Sequence, residues 1–126
     1  MPSSIAFFDT AARTATPATA GADGTEGVAT PRYAQLLSAR IDVSAVTDTP
    51  SVVFAIQGWD PAAQEWFDLI VSAAVTGTGV TFLHVGNSAV NTANVSANFA
   101  LPARVRVRAT HADADSITYS VALFFS

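Results

Sequence analysis

From about Pro50 onward the chain is a succession of short hydrophobic runs, and its two most regular patterns lie at the end. In residues 103–110, Val105, Val107 and Ala109 alternate with Arg104, Arg106 and Arg108; in residues 117–125, Ile117, Tyr119, Val121, Leu123 and Phe125 alternate with Thr118, Ser120 and Ala122. A period of two puts successive side chains on opposite faces of a strand, so each run predicts a strand with one buried and one solvated face. The segment 111–116 between them reads as a turn, and the pair predicts a two-faced antiparallel sheet. Leu37, Ala39, Ile41 and Val43 alternate in the same way with Ser38, Arg40, Asp42 and Ser44. Residues 52–57 are apolar on both sides, the mark of a central strand. The polar stretch 58–65 contains Asp60-Pro61 and predicts a turn into a strand at 66–71, together a hairpin flanked by Trp59 and Trp66. Thr76-Gly77-Thr78-Gly79 predicts a further turn, followed by a strand at 80–85.

Two stretches depart from this pattern. Residues 86–100 form a long connection carrying Asn87, Asn91, Asn94 and Asn98; a loop of that length in a small domain is functional or crosses between sheets. Residues 1–32 contain the apolar cluster Ile5-Ala6-Phe7-Phe8, then a leader rich in Ala, Thr, Gly and Pro, including Pro17, Gly21, Gly24, Gly27 and Pro31. Such a composition opposes regular structure, so 1–32 reads as a flexible N-terminal arm whose apolar cluster is costly to expose and can add to a neighbour as a strand or plug. Residues 33–126, with about six strands separated by turn signals, read as one all-β domain. The expected architecture is a β-sandwich, jelly-roll-like or immunoglobulin-like, with an extended N-terminal arm.

Composition narrows the functional classes. The 126 residues suit a single domain, half are hydrophobic and only 13% are charged; so little charge implies that a partner covers part of the surface. Cysteine is absent, which removes disulfides and thiolate chemistry. The net charge is −4, and all six cations are arginine; an acidic surface repels phosphate backbones, so no nucleic-acid partner is expected. No apolar run reaches the length of a membrane span, and no basic, apolar secretory leader opens the sequence, so no membrane partner is expected either.

Few residues suggest chemistry. Arg104, Arg106 and Arg108 share one side of one strand. They read either as a solvated face balanced by Asp42 and Asp68 or as a docking stripe for carboxylates, which the planar guanidinium grips two-handed. His111, Asp113 and Asp115 lack the ligand number of a calcium loop and read as turn formers. His84 and His111 do not specify a zinc site. Glu65 and Asp68 do not converge as an acid–base pair, no serine sits in a glycine elbow, and Gly77-Thr78-Gly79 lacks the lysine of a phosphate loop. The expectation is a protein that is not an enzyme and carries no cofactor or metal.

Residues 40–124 nonetheless carry a recognisable wording. Thr49-Pro50-Ser51-Val52 leads to Ile56-Gln57-Gly58-Trp59-Asp60, Trp66-Phe67-Asp68-Leu69 and Ala73-Ala74-Val75-Thr76-Gly77-Thr78-Gly79. It closes on Leu101-Pro102, the arginine strand and His111-Ala112-Asp113-Ala114-Asp115-Ser116-Ile117-Thr118-Tyr119-Ser120-Val121. This wording resembles the head decoration, or capsid cement, proteins of tailed bacteriophages, although the leader is longer than is usual among them. The resemblance implies a structural protein on the outer surface of the virion, made in the host cytoplasm. It would bind assembled major capsid protein as a homo-oligomer, with a trimer favoured, and reinforce the shell. The expected contact residues are Ile5, Phe7 and Phe8 of the arm, then Arg104, Arg106 and Arg108. The alternative is a tail or adhesion module that binds a receptor or glycan through Trp59, Trp66 and Tyr33.

Overall fold

In the computed structural model, which describes residues 3–16, 27–87 and 89–126, strands dominate the chain. They are β1 (Ser3–Arg13), β2 (Val28–Ala29), β3 (Leu36–Val46), β4 (Val52–Asp60), β5 (Glu65–Val71), β6 (Gly79–Gly86), β7 (Ser96–Asn98), β8 (Arg104–His111) and β9 (Ile117–Phe125). The strongest alternations in the sequence give the cleanest two-faced strands. Leu37, Ala39, Ile41 and Val43 on β3, Val105, Val107 and Ala109 on β8, and all the odd-numbered residues of β9 are buried. Strand β4 is buried on both sides from Phe54 to Gly58 and is central to its sheet, with β8 and β5 as neighbours.

The strands form two packed sheets, ordered β1-β9-β3-β6-β7 and β2-β8-β4-β5. Leaving out the short β7, the pairings β1 with β9, β2 with β8, β3 with β6 and β4 with β5 are all antiparallel. They describe one long hairpin with its tip at the β4–β5 turn. Wrapping that hairpin joins β9 to β3 in one sheet and β8 to β4 in the other. This is the jelly roll, so of the two connectivities left open by the sequence the structure selects that one.

The wrap changes the relation of the last two strands. They do not form a hairpin: β8 lies in the smaller sheet, β9 in the larger, and residues 111–116 carry the chain between the layers. Asp113 and Asp115 shape this crossing as turn residues. Asp113 Oδ1 accepts from the Asp115 amide at 3.0 Å, and Asp115 Oδ2 accepts from the Thr49 amide at 3.2 Å. The Asn-rich connection also crosses between sheets, and on the way adds β7 parallel to β6. The hairpin at 58–65 forms as expected. Asp60 Oδ1 accepts from the amides of Ala62 and Ala63 at 2.9 and 3.1 Å, the side-chain turn that Asp-Pro favours.

The N-terminal segment departs from expectation. The flexible arm expected over 1–32 is, for Ser3–Arg13, an edge strand of the chain's own larger sheet, paired along β9. The boundary placed before residue 33 therefore cuts through the sandwich, which also includes β2. The part of the arm at 17–26 lies outside the described residues. Its apolar cluster explains the docking: Phe7 and Phe8 are 2% and 3% exposed, and Phe8 meets Tyr119 edge to face with centroids 6.0 Å apart. Register shifts beside Phe8 break the strict alternation and let two consecutive rings enter the core. Arg13 fastens the other end, donating to the carbonyls of Tyr119 and Asp9 at 2.7 Å each, with its guanidinium 4.5 Å from the Tyr119 ring centroid.

Tyr119 also meets Phe54 of the facing sheet edge to face at 5.0 Å. Its burial pushes the phenol up to about 12. The hydroxyl is hydrogen-bonded to His111 Nε2 at 3.1 Å, while His111 Nδ1 is buried without a partner among the described residues. Burial lowers the His111 pKa and the nearby Arg13 acts in the same direction, against Asp113.

Two outcomes follow from this packing. Replacing Phe8 by alanine is expected to lower the free energy of unfolding in urea by about 3–5 kcal/mol, the usual effect of deleting a buried phenyl ring; a flexible arm would show no change. His111 takes up a proton more readily in the unfolded chain than in the folded one. Its contribution is therefore intact above about pH 6.5 and is lost as pH falls below that value towards the lower folded pKa. Urea midpoints measured down to about pH 5 should decline more steeply for the parent than for His111→Gln.

Candidate functional site

Three surfaces bring together residues with something to bind: the outer face of the larger sheet, the arginine strand, and a cleft near the β4–β5 turn. On the first, cross-strand register sets the side chains in rows. Ser4, Phe124, Ser38 and His84 form one row, Ala6, Ala122, Arg40 and Phe82 the next, and Ser120, Asp42 and Val80 a third. Apart from Phe124 and Ser38, the rows named carry Ser and Ala over β1 and β9 and larger groups over β3 and β6. Val80, Phe82 and Phe124 are 44%, 47% and 44% exposed. Phe82 stacks on His84 with planes 5° apart, and His84 Nδ1 is held at 2.8 Å from Ser38 Oγ. Arg40 and Asp42 form an exposed ion pair at 3.5 Å. A hollow of about 220 Å³ lies beside Phe124, between Ser3, Ser4 and the Ser126 end of the chain.

The arginine strand is β8, on the outer face of the smaller sheet. Arg106 Nε donates to Gln57 Oε1 at 2.7 Å, and Gln57 Nε2 donates to Asp68 Oδ1 at 2.8 Å, so one network crosses β8, β4 and β5. The Arg106 guanidinium lies 4.4 Å from the Trp66 ring centroid. Burial lowers its pKa, Arg108 acts in the same direction, and Asp68 opposes both. The expected balance by carboxylates thus operates for Asp68, through Gln57, whereas Asp42 lies on the other sheet and serves Arg40. Arg108 is exposed and Arg104 half-buried.

The cleft is open to solvent and has a volume of about 510 Å³. Its lining includes Trp59 and Pro61 of the hairpin and Phe99 and Pro102 of the β7–β8 connection. Phe67 packs against Phe99 with centroids 5.9 Å apart. Asp60 and Arg104 supply the charged groups of the lining. Gly58 permits this closure: a Cβ there would lie 2.6 Å from Pro102 Cγ.

The residues expected to contact a partner are therefore divided. Phe7 and Phe8 face the chain's own core, where the hydrophobic effect holds them and no second surface reaches them. Ile5 is half-buried against that core. Arg104, Arg106 and Arg108 remain at the surface of the opposite sheet, with Arg106 committed to Gln57 and Trp66. Of the expected platform, Trp59 and Trp66 are both half-buried and lie against each other at 5.3 Å, and Tyr33 is 42% exposed. Sequence reasoning missed the outer face of the larger sheet, although Val80 and Phe82 were visible as apolar residues at outward positions of a strand. Among the described residues no three His, Cys, Asp or Glu side chains gather as a metal site. Compared with known proteins, the chain matches no family model, no curated protein and no solved structure.

Arg106→Ala leaves the Gln57 carbonyl without its donor and is expected to cost about 1–3 kcal/mol in urea unfolding. Arg106→Lys should recover only part of this loss, because an ammonium does not reproduce the planar stack on Trp66.

Proposed function

We propose that this chain is a structural protein of a tailed-bacteriophage virion that binds the outer surface of the assembled capsid and stabilises it by bridging major capsid subunits. The observation that carries the reading is the outer face of the larger sheet. Its exposed Val80, Phe82 and Phe124 beside Arg40, with no lysine, supply aromatic and arginine groups of the kind enriched in interfaces. The phage-like wording of residues 40–124 supplies the identity of the partner. The jelly roll adds support at the level of architecture, since viral shell domains use it, although one architecture serves many functions.

In this reading the protein stabilises by mass action. Each copy binds the assembled shell and not free subunits, so occupancy shifts the balance towards assembly, and a homo-oligomer, with a trimer favoured, multiplies the effect through linked contacts. Contact falls first on the larger sheet and then on Arg104 and Arg108. The N-terminal strand acts within the fold, so deleting it would test stability and not attachment.

The test is co-sedimentation of the full chain with undecorated capsids of its own virus. A plateau at a fixed number of copies per capsid subunit is expected. Phe82→Glu with Phe124→Glu should weaken binding at least about tenfold, the effect of more than about 1.4 kcal/mol at a central contact. Absence of binding at micromolar concentration, or full binding by the double variant, would count against the proposal.

A further inference from the structure

We propose that the cleft between the β4–β5 turn and the β7–β8 connection binds a neutral saccharide. This site is separate from the larger-sheet face proposed to meet the capsid, and shares only Arg104 with the secondary contacts: it is built on the hairpin of the smaller sheet and on the chain segment that leads into β8, and none of its lining residues belongs to the rows of the larger sheet.

The first argument is shape and chemistry. A volume of about 510 Å³ falls in the range of small-molecule sites and suits one or two sugar rings. The walls are aromatic and proline surfaces. Phe99 is held at 63° to Phe67, which fixes its orientation, while 46% of it stays exposed. A pyranose has an apolar face of C–H bonds, weakly positive, that sits on the negative face of such a ring, and a girdle of hydroxyls that must be hydrogen-bonded.

The second argument is charge. The lining contains one carboxylate, Asp60, and one guanidinium, Arg104. Together they are neutral, and Asp60 Oδ2, the oxygen not engaged by the Ala62 and Ala63 amides, can accept from a sugar hydroxyl. A phosphate or sulfate ligand would meet Asp60 and the net charge of −4 as repulsion. The Asp60 side chain is already oriented, since Oδ1 accepts from the Ala62 and Ala63 amides. Little rotamer freedom is therefore lost on binding.

The experiment titrates the full chain with maltose, cellobiose, lactose and chitobiose, and follows the Trp59 indole and the backbone amides of residues 59–61 and 99–104 by NMR. At least one sugar should give saturable shifts with a Kd of about 1 mM or tighter. Phe99→Ala and Asp60→Asn should each weaken binding about fivefold or more, the latter with its turn preserved. Phe82→Glu should bind like the parent, which separates this site from the capsid reading. The proposal is overturned if none of the four sugars saturates, if both cleft variants bind as the parent does, or if a sulfated disaccharide or an oligoproline peptide binds the cleft in their place.

Discussion

The edge-to-face contact of Tyr119 with Phe54 joins the middle of one sheet to the middle of the other, and the fold depends on such contacts between layers. Among consecutive strands, only β4 with β5 and β6 with β7 share a sheet; every other step changes layer. Short-range hydrogen bonding therefore accounts for little of this architecture. The chain holds together because alternate residues of β3, β8 and β9, all buried, meet across a dry interface. The pairing of β1 with β9 brings the two ends of the sequence together, so the closure entropy of nearly the whole chain must be offset by that same core.

Once the core is built, its two outer faces are free to differ. The smaller sheet carries a polar network in which Arg106, Gln57 and Asp68 satisfy one another, with Trp66 lying along the guanidinium. The larger sheet leaves aromatic and aliphatic groups in water. Within the chain, one of these exposed rings, Phe82, stacks on His84. The cleft at the hairpin is a third environment, beside the close approach of Pro102 to Gly58.

Several elements were legible from the chain alone because each has a local cause. The alternations in β3, β8 and β9 announce strands with one buried face, and the double-sided apolar run in β4 announces a central one. Asp60 and Asp113 act as turn formers through side-chain to backbone hydrogen bonds, whereas the Asp115 carboxylate accepts from distant Thr49. The candidate site was less visible. Arg106 and Trp66 lie 40 residues apart in sequence, and Phe67 of β5 meets Phe99 only because the β7–β8 connection passes beside that strand. No local signal marks such meetings.

The sequence by itself determined the all-β class, most strand positions, the turns and the absence of thiol chemistry, since these follow from side-chain period, backbone preference and composition. Tertiary structure decided the rest: that β8 and β9 separate into facing layers, that Ser3–Arg13 is a strand and not an arm, and that Phe7 and Phe8 are core residues. The physical reason is that period two says which side of a strand is apolar but not which sheet it joins. That choice is made by burying all the apolar faces at once, and it involves residues from both ends of the chain.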